Sequence, residues 1–163
     1  MTTSSRSVAR GILVGGLIAG VLDITDAIVF HGVRGVAPIR ILQAIASGLL
    51  GRDAFAGGAA TASLGLALHF VIALGAAAVY GVAGRRWPRL VDRPWLSGPA
   101  FGLAVYAVMQ YVVLPLSRFR PGPSPPAGSL DWGLVNLLAA HIFCVGLPIA
   151  LAARWAQRPQ VPI

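Results

Sequence analysis

From Ala54 to Gly84 the chain runs for 31 residues without an Asp, Glu, Lys or Arg, interrupted only by His69. A hydrocarbon core about 30 Å thick needs about 20 helical residues to cross it. In lipid every backbone N–H and C=O must find its partner within the protein, and a single segment achieves this as a helix. Composition names the same solvent. Charged residues make up 11% of the chain and hydrophobic ones 56%. Soluble domains carry about 25% charge, and a chain this poor in charge cannot cover a water-facing surface.

Three further stretches are long enough to cross. Met1 to Arg10 is polar and basic, and the apolar residues after it resemble the start of a signal peptide. Asp23-Ile-Thr-Asp26 stands where a small-x-small cleavage site belongs, and apolar character resumes as far as Phe30, so residues 11–30 are predicted as an uncleaved first span. The second covers about 64–84, ended by Arg85-Arg86-Trp87-Pro88-Arg89. The third covers about 98–116, and the fourth about 133–153, ended by Arg154 and Trp155.

Between the first two spans, Pro38 can open a helix over about 38–50. Ile39, Leu42, Ile45, Ala46, Leu49 and Leu50 recur at helical spacing, with Arg40, Gln43 and Ser47 off that face and Gly51 as a stop. This segment is too short to span. It should lie in the interface or dip into the bundle. Arg118 to Asp131 holds four prolines and reads as a stiff exposed connection, and 156–163 reads as a disordered tail. The predicted fold is an all-α integral membrane bundle of four transmembrane helices, one domain over 11–155, with one short interfacial helix.

All 13 basic residues are Arg and all five acidic ones are Asp, for a net charge of +8. The arginines cluster at helix ends, where they meet lipid head groups, so no nucleic-acid partner is predicted. Arg6, Arg10, Arg85, Arg86, Arg89, Arg93, Arg154 and Arg158 fall in the N-terminus, the second connection and the C-terminus. Arg34, Arg40, Arg52, Arg118 and Arg120 fall in the other two connections. The positive-inside rule then puts residues 1–10 and the C-terminus in the cytoplasm of a bacterial inner membrane. Cys144 is a lone cysteine in an apolar run and reads as a small buried apolar residue.

Lipid tails are as apolar as Leu, so helices in a membrane associate through close packing and polar contacts. Gly11 and Gly15, Gly16 and Gly20, and Gly98 and Gly102 each have GxxxG spacing, which also permits a homodimer. Spans one and two form one hairpin and spans three and four another, with a histidine in the second span of each, a weak internal repeat.

The informative residues are those that lipid penalises. An Asp at mid-membrane costs roughly 2.5–3.5 kcal/mol on insertion scales. Asp23 and Asp26 share a face of span one. His69, Gln110 and His141 lie within the outer halves of spans two, three and four. At 1.5 Å per residue all sit roughly 6–12 Å below the outer surface, in one polar layer that His31, Tyr106 and Asn136 can join. Each has a plainer reading. The carboxylates can reach water or pair with Arg34 or Arg40, and the histidines and amides can serve helix packing. As a set they can relay protons, ligate haem b between His69 and His141, or hold a divalent metal. No catalytic motif is present, so catalysis has no support.

The order of features resembles a family. A glycine-rich first span, LGLALHF in span two, GPAFGLAVYAVMQYVVLPLS in span three, a Pro-rich connection and then AAHIFCVGLP resemble the uncharacterised bacterial inner-membrane proteins of the YagU type. The resemblance covers about residues 11–155 and rests on His69, Pro115, His141 and the span pattern; Asp23, Asp26 and the helix around Gln43 stand outside it. It implies an inner-membrane location and no established activity. Three functions stay open. The first is a non-enzymatic protein binding or passing a solute, proton or metal ion at the polar layer. The second is a haem-b or electron-transfer subunit, and the third a structural or assembly subunit of a membrane complex.

Overall fold

The computed structural model describes residues 5–120 and 131–157. In chain order it contains α1 (Ser5–Gly32), α2 (Pro38–Leu50), a 3-10 turn (Gly51–Phe55), α3 (Gly58–Arg86), α4 (Pro88–Asp92), α5 (Pro94–Leu116) and α6 (Trp132–Gln157). By length and composition, four of these (α1, α3, α5 and α6) can cross a membrane. The chain is an all-α multi-pass membrane protein, with no strand among the described residues.

Local chemistry fixes the helix ends. Pro38, Pro88 and Pro94 each sit in a first helical turn, where a missing N–H costs nothing. The Asp131 carboxylate accepts from the Leu134 N–H at 3.1 Å and caps α6. Gly51 ends α2 with φ of 65°, a conformation that favours glycine. The helices overrun the predicted spans. α1 begins at Ser5 and carries Arg6 and Arg10 within it, so the predicted N-terminal segment is partly helical. α6 continues through Ala156 and Gln157; the rest of the predicted tail, and 121–130 of the Pro-rich connection, lie outside the described residues. Hydropathy marks only the stretch that hydrocarbon must tolerate, whereas backbone hydrogen bonding continues into the polar zone.

α1 packs on α3 and on α6, α5 packs on α6, and α2 lies on α3. Small side chains set the core. Ala19, Ala77, Ala150 and Ala153 are buried with Tyr80, Val145 and Ile149. At Gly102 the helices touch so closely that a methyl group would overlap the His141 carbonyl oxygen, and at Gly65 it would overlap that of Leu42. The packing that drives this association is van der Waals contact between near-bare backbones. Large apolar side chains such as Val71, Val79 and Phe143 face outward.

α3 and α5 make little contact along their length and meet at one end. There the buried Tyr80 hydroxyl donates to the Leu90 carbonyl at 2.7 Å and lies 2.8 Å from Ser97 Oγ, while its ring packs edge-on against Phe101. At this same end Arg10 stacks on Trp155 at 4.3 Å, and Arg154 donates to the Asp92 carbonyl at 3.0 Å. The N-terminal helix end, the α3–α5 connection and the end of α6 therefore gather together.

α2 sharpens one expectation. The face packed against α3 carries Gln43 and Ser47 beside Ile41 and Ala46, while Ile39, Leu49 and Leu50 are exposed. The Gln43 amide donates to the Gly58 carbonyl at 3.1 Å. The predicted stripe set Gln43 and Ser47 off the apolar face without assigning which face meets protein. Beside lipid, polar groups turn toward protein.

Both later spans contain a wide turn. Met109–Val113 in α5 and His141–Gly146 in α6 are π-helical, with the Leu114 N–H bonded to the Met109 carbonyl and the Leu147 N–H to that of Ile142. Each precedes a proline, Pro115 or Pro148. A proline ring collides with the carbonyl four residues back and offers no N–H, and a turn widened by one residue accommodates both defects.

Candidate functional site

The gap between α3 and α5 is a partly open cavity of about 500 Å³. α1 supplies its back wall through Ala19, Asp23, Ile24 and Ala27, and α6 through Leu137, His141 and Val145. His69, Ile72 and Ala76 of α3 face Tyr106, Met109 and Gln110 of α5 across it. α2 closes it at the end away from the Tyr80 cluster, where His31, Gly48, Ser117 and Phe119 also reach it. A backbone hydrogen bond from Arg118 N–H to the Gly48 carbonyl, 2.8 Å, fastens the end of α5 to α2.

Among the residues expected in the polar layer, Asp23, His69, Gln110 and His141 line this cavity, one from each span, and Tyr106 and His31 join them. Asp26 and Asn136 are spent on each other, with Asn136 Nδ2 donating to Asp26 Oδ2 at 2.7 Å. The pairings open to Arg34 and Arg40 are not made. Arg34 donates to the Phe30 carbonyl at 2.6 Å and stacks on the Phe30 ring, and Arg40 donates to the Phe55 carbonyl at 3.0 Å. Cys144 is half-buried rather than buried.

Both histidine rings have an assignable proton. His69 Nε2 lies 2.8 Å from the Gly20 carbonyl oxygen, which only accepts, so Nε2 carries the hydrogen. Its other nitrogen, Nδ1, faces Asp23 Oδ2 at 4.0 Å, with the His69 side chain 12% and that of Asp23 26% exposed. His141 Nδ1 donates to the Leu137 carbonyl at 2.8 Å, leaving Nε2 as the acceptor of the neutral ring, and Tyr106 packs edge-on against that ring. These bonds orient both imidazoles without using their second nitrogens.

Two inorganic ligands, a divalent metal and haem, make different demands on this donor set. Among the described residues no three His, Cys, Asp or Glu side chains come together to hold a metal ion. For haem, a ring ligates iron through an unprotonated nitrogen. His69 Nε2 is committed to the Gly20 carbonyl, and Nδ1 is turned toward a carboxylate. Each neutral ring nevertheless keeps one unprotonated nitrogen, Nδ1 of His69 and Nε2 of His141, able to accept a hydrogen bond or to ligate.

Sequence reasoning missed the wide turn at His141 and the pairing of Asp26 with Asn136. Pro148 and Pro115 were the available signals for wide turns. Nothing in the spacing of Asp26 and Asn136, 110 residues apart, reports their contact. Compared with protein-family models, with curated proteins and with solved structures, the chain finds no match in any of the three.

Proposed function

We propose that this chain is a non-enzymatic membrane protein that holds a small apolar or amphiphilic solute between α3 and α5. The observation that carries the reading is a cavity of about 500 Å³ into which all four spans bring a polar side chain. Small-molecule sites are commonly about 300–1,000 Å³, apolar, with a few polar groups that fix orientation. Oriented imidazoles at His69 and His141 meet that description. The positive-inside count supports cytoplasmic termini, with the α2 end of the cavity toward the outer face. The resemblance to YagU-type proteins supports a bacterial inner membrane.

Photolabelling tests this. The full chain in phosphatidylcholine nanodiscs is irradiated with 3-azioctanol, and the labelled peptides are mapped. Saturable labelling of cavity residues such as Ile72 and Met109, lost in Ala76→Trp, is the expected result. Labelling confined to outward residues such as Val71 and Phe143 favours the structural-subunit reading instead.

A further inference from the structure

We infer that the solute is a lipophilic ammonium ion whose N–H groups bridge Asp23 and His69. The inference rests on the cavity reading above and adds its chemistry. With Nε2–H given to the Gly20 carbonyl, a neutral His69 presents a lone pair at Nδ1, and Asp23 Oδ2 presents another 4.0 Å away. Two acceptors facing each other lack a donor. A nitrogen about 2.8 Å from each fits between them, about 2 Å to one side of the line that joins them.

The charge balance points the same way. The sequence has no lysine, and among the described residues no arginine lines the cavity. The ionisable groups that act on Asp23 are His69 from α3, His141 and Cys144 from α6 and Asp26 on α1 itself, while Tyr106 of α5 and His31 of α1 line the same cavity. α2 offers none, because Arg40 is held by Phe55 and Gln43. Among the described residues an ionised Asp23 therefore faces no permanent cation, and an ammonium ion supplies both the charge and the N–H donors. Further N–H groups can reach Tyr106 or Gln110, and the apolar tail lies along Ile24, Ile72 and Val105. A proton shared between Asp23 and His69 fills the same gap, so protons and ligand compete.

The test is protection from 3-azioctanol labelling in the same nanodiscs. Three competitors of equal chain length are compared: n-octylammonium, n-octyltrimethylammonium and n-octanol. The expected result is protection by n-octylammonium at least about tenfold more potent than by n-octanol, as a charge-assisted hydrogen bond requires. The trimethyl compound, charged but without N–H, falls short of n-octylammonium. The preference for n-octylammonium declines as pH is lowered. It disappears in Asp23→Asn and survives in Asp23→Glu, and continued 3-azioctanol labelling of each variant reports an intact cavity. An ammonium ion can also arrive on an aminophospholipid; protection by phosphatidylethanolamine added to the discs identifies that source, and its absence a free amine. Equal potency of n-octylammonium and n-octanol, or of the two cations, overturns the inference while the cavity reading stands, as does a preference for n-octylammonium that does not change with pH. Failure of 3-azioctanol to label the cavity overturns the cavity reading itself.

Discussion

Asn136 Nδ2 donates to Asp26 Oδ2 at 2.7 Å and so joins the end of α1 to the first turns of α6. Of the two carboxylates in span one, the structure spends one on assembly and leaves Asp23 to face the cavity. Asn136→Leu should therefore lower stability by roughly 0.6–1.7 kcal/mol, the scale of interhelical hydrogen bonds in membranes. Asp26→Asn, which can still pair, should cost less. Unfolding in mixed detergent micelles measures both, and 3-azioctanol labelling should be unchanged in each.

Gly102 and Gly65 are contact points for backbone. Gly102→Ala drives a methyl into the His141 carbonyl and should destabilise the α5–α6 pair by about 1–3 kcal/mol, the usual cost of overpacking. Gly65→Ala meets the Leu42 carbonyl instead and should release α2 from α3. Hydrogen exchange distinguishes them, since protection should fall in residues 41–47 for Gly65→Ala and around residues 98–106 for Gly102→Ala.

At the opposite end, Tyr80→Phe removes the 2.7 Å bond to the Leu90 carbonyl. Ser97 Oγ also reaches that carbonyl, at 2.6 Å, so the oxygen keeps a partner and the expected loss is about 1 kcal/mol. Combining Tyr80→Phe with Ser97→Ala leaves the carbonyl without either donor and should cost more than the two single changes added together. A thermal melt of the four proteins closes the cycle.

The proposed orientation predicts opposite accessibility for the two ends. In a Cys144→Ala background, Arg89→Cys should react with a membrane-impermeant maleimide only from the cytoplasmic side, and Arg118→Cys only from the outside. Labelling of both from one side would contradict the four-span topology.

Much of the architecture was legible because lipid penalises charge so strongly. The uncharged run around His69 and the arginines that end it located span two, and Pro38 and Gly51 located α2. Asp23, His69, Gln110 and His141 stood out because lipid penalises polar groups, and the structure brings them round one cavity. The remainder depends on rotation of one helix against another, which hydropathy does not encode. Asp26 resembled Asp23 in every sequence property, yet only one of them meets Asn136. Gln43 stood off the apolar stripe of α2 with no sign of which face meets protein; beside lipid it seals α2 to α3. The wide turns at Met109 and His141 depend on how Pro115 and Pro148 are relieved, which could equally have ended each helix.

The Tyr80 cluster has a consequence for the shape of the cavity. Tyr80, Ile149 and Ala150 are at most 1% exposed, and they close the interhelical space beneath the cavity. At the other end the hydrogen bond from Arg118 to Gly48 ties α5 to α2, so the two ends are held by different means, a packed plug and a backbone tie.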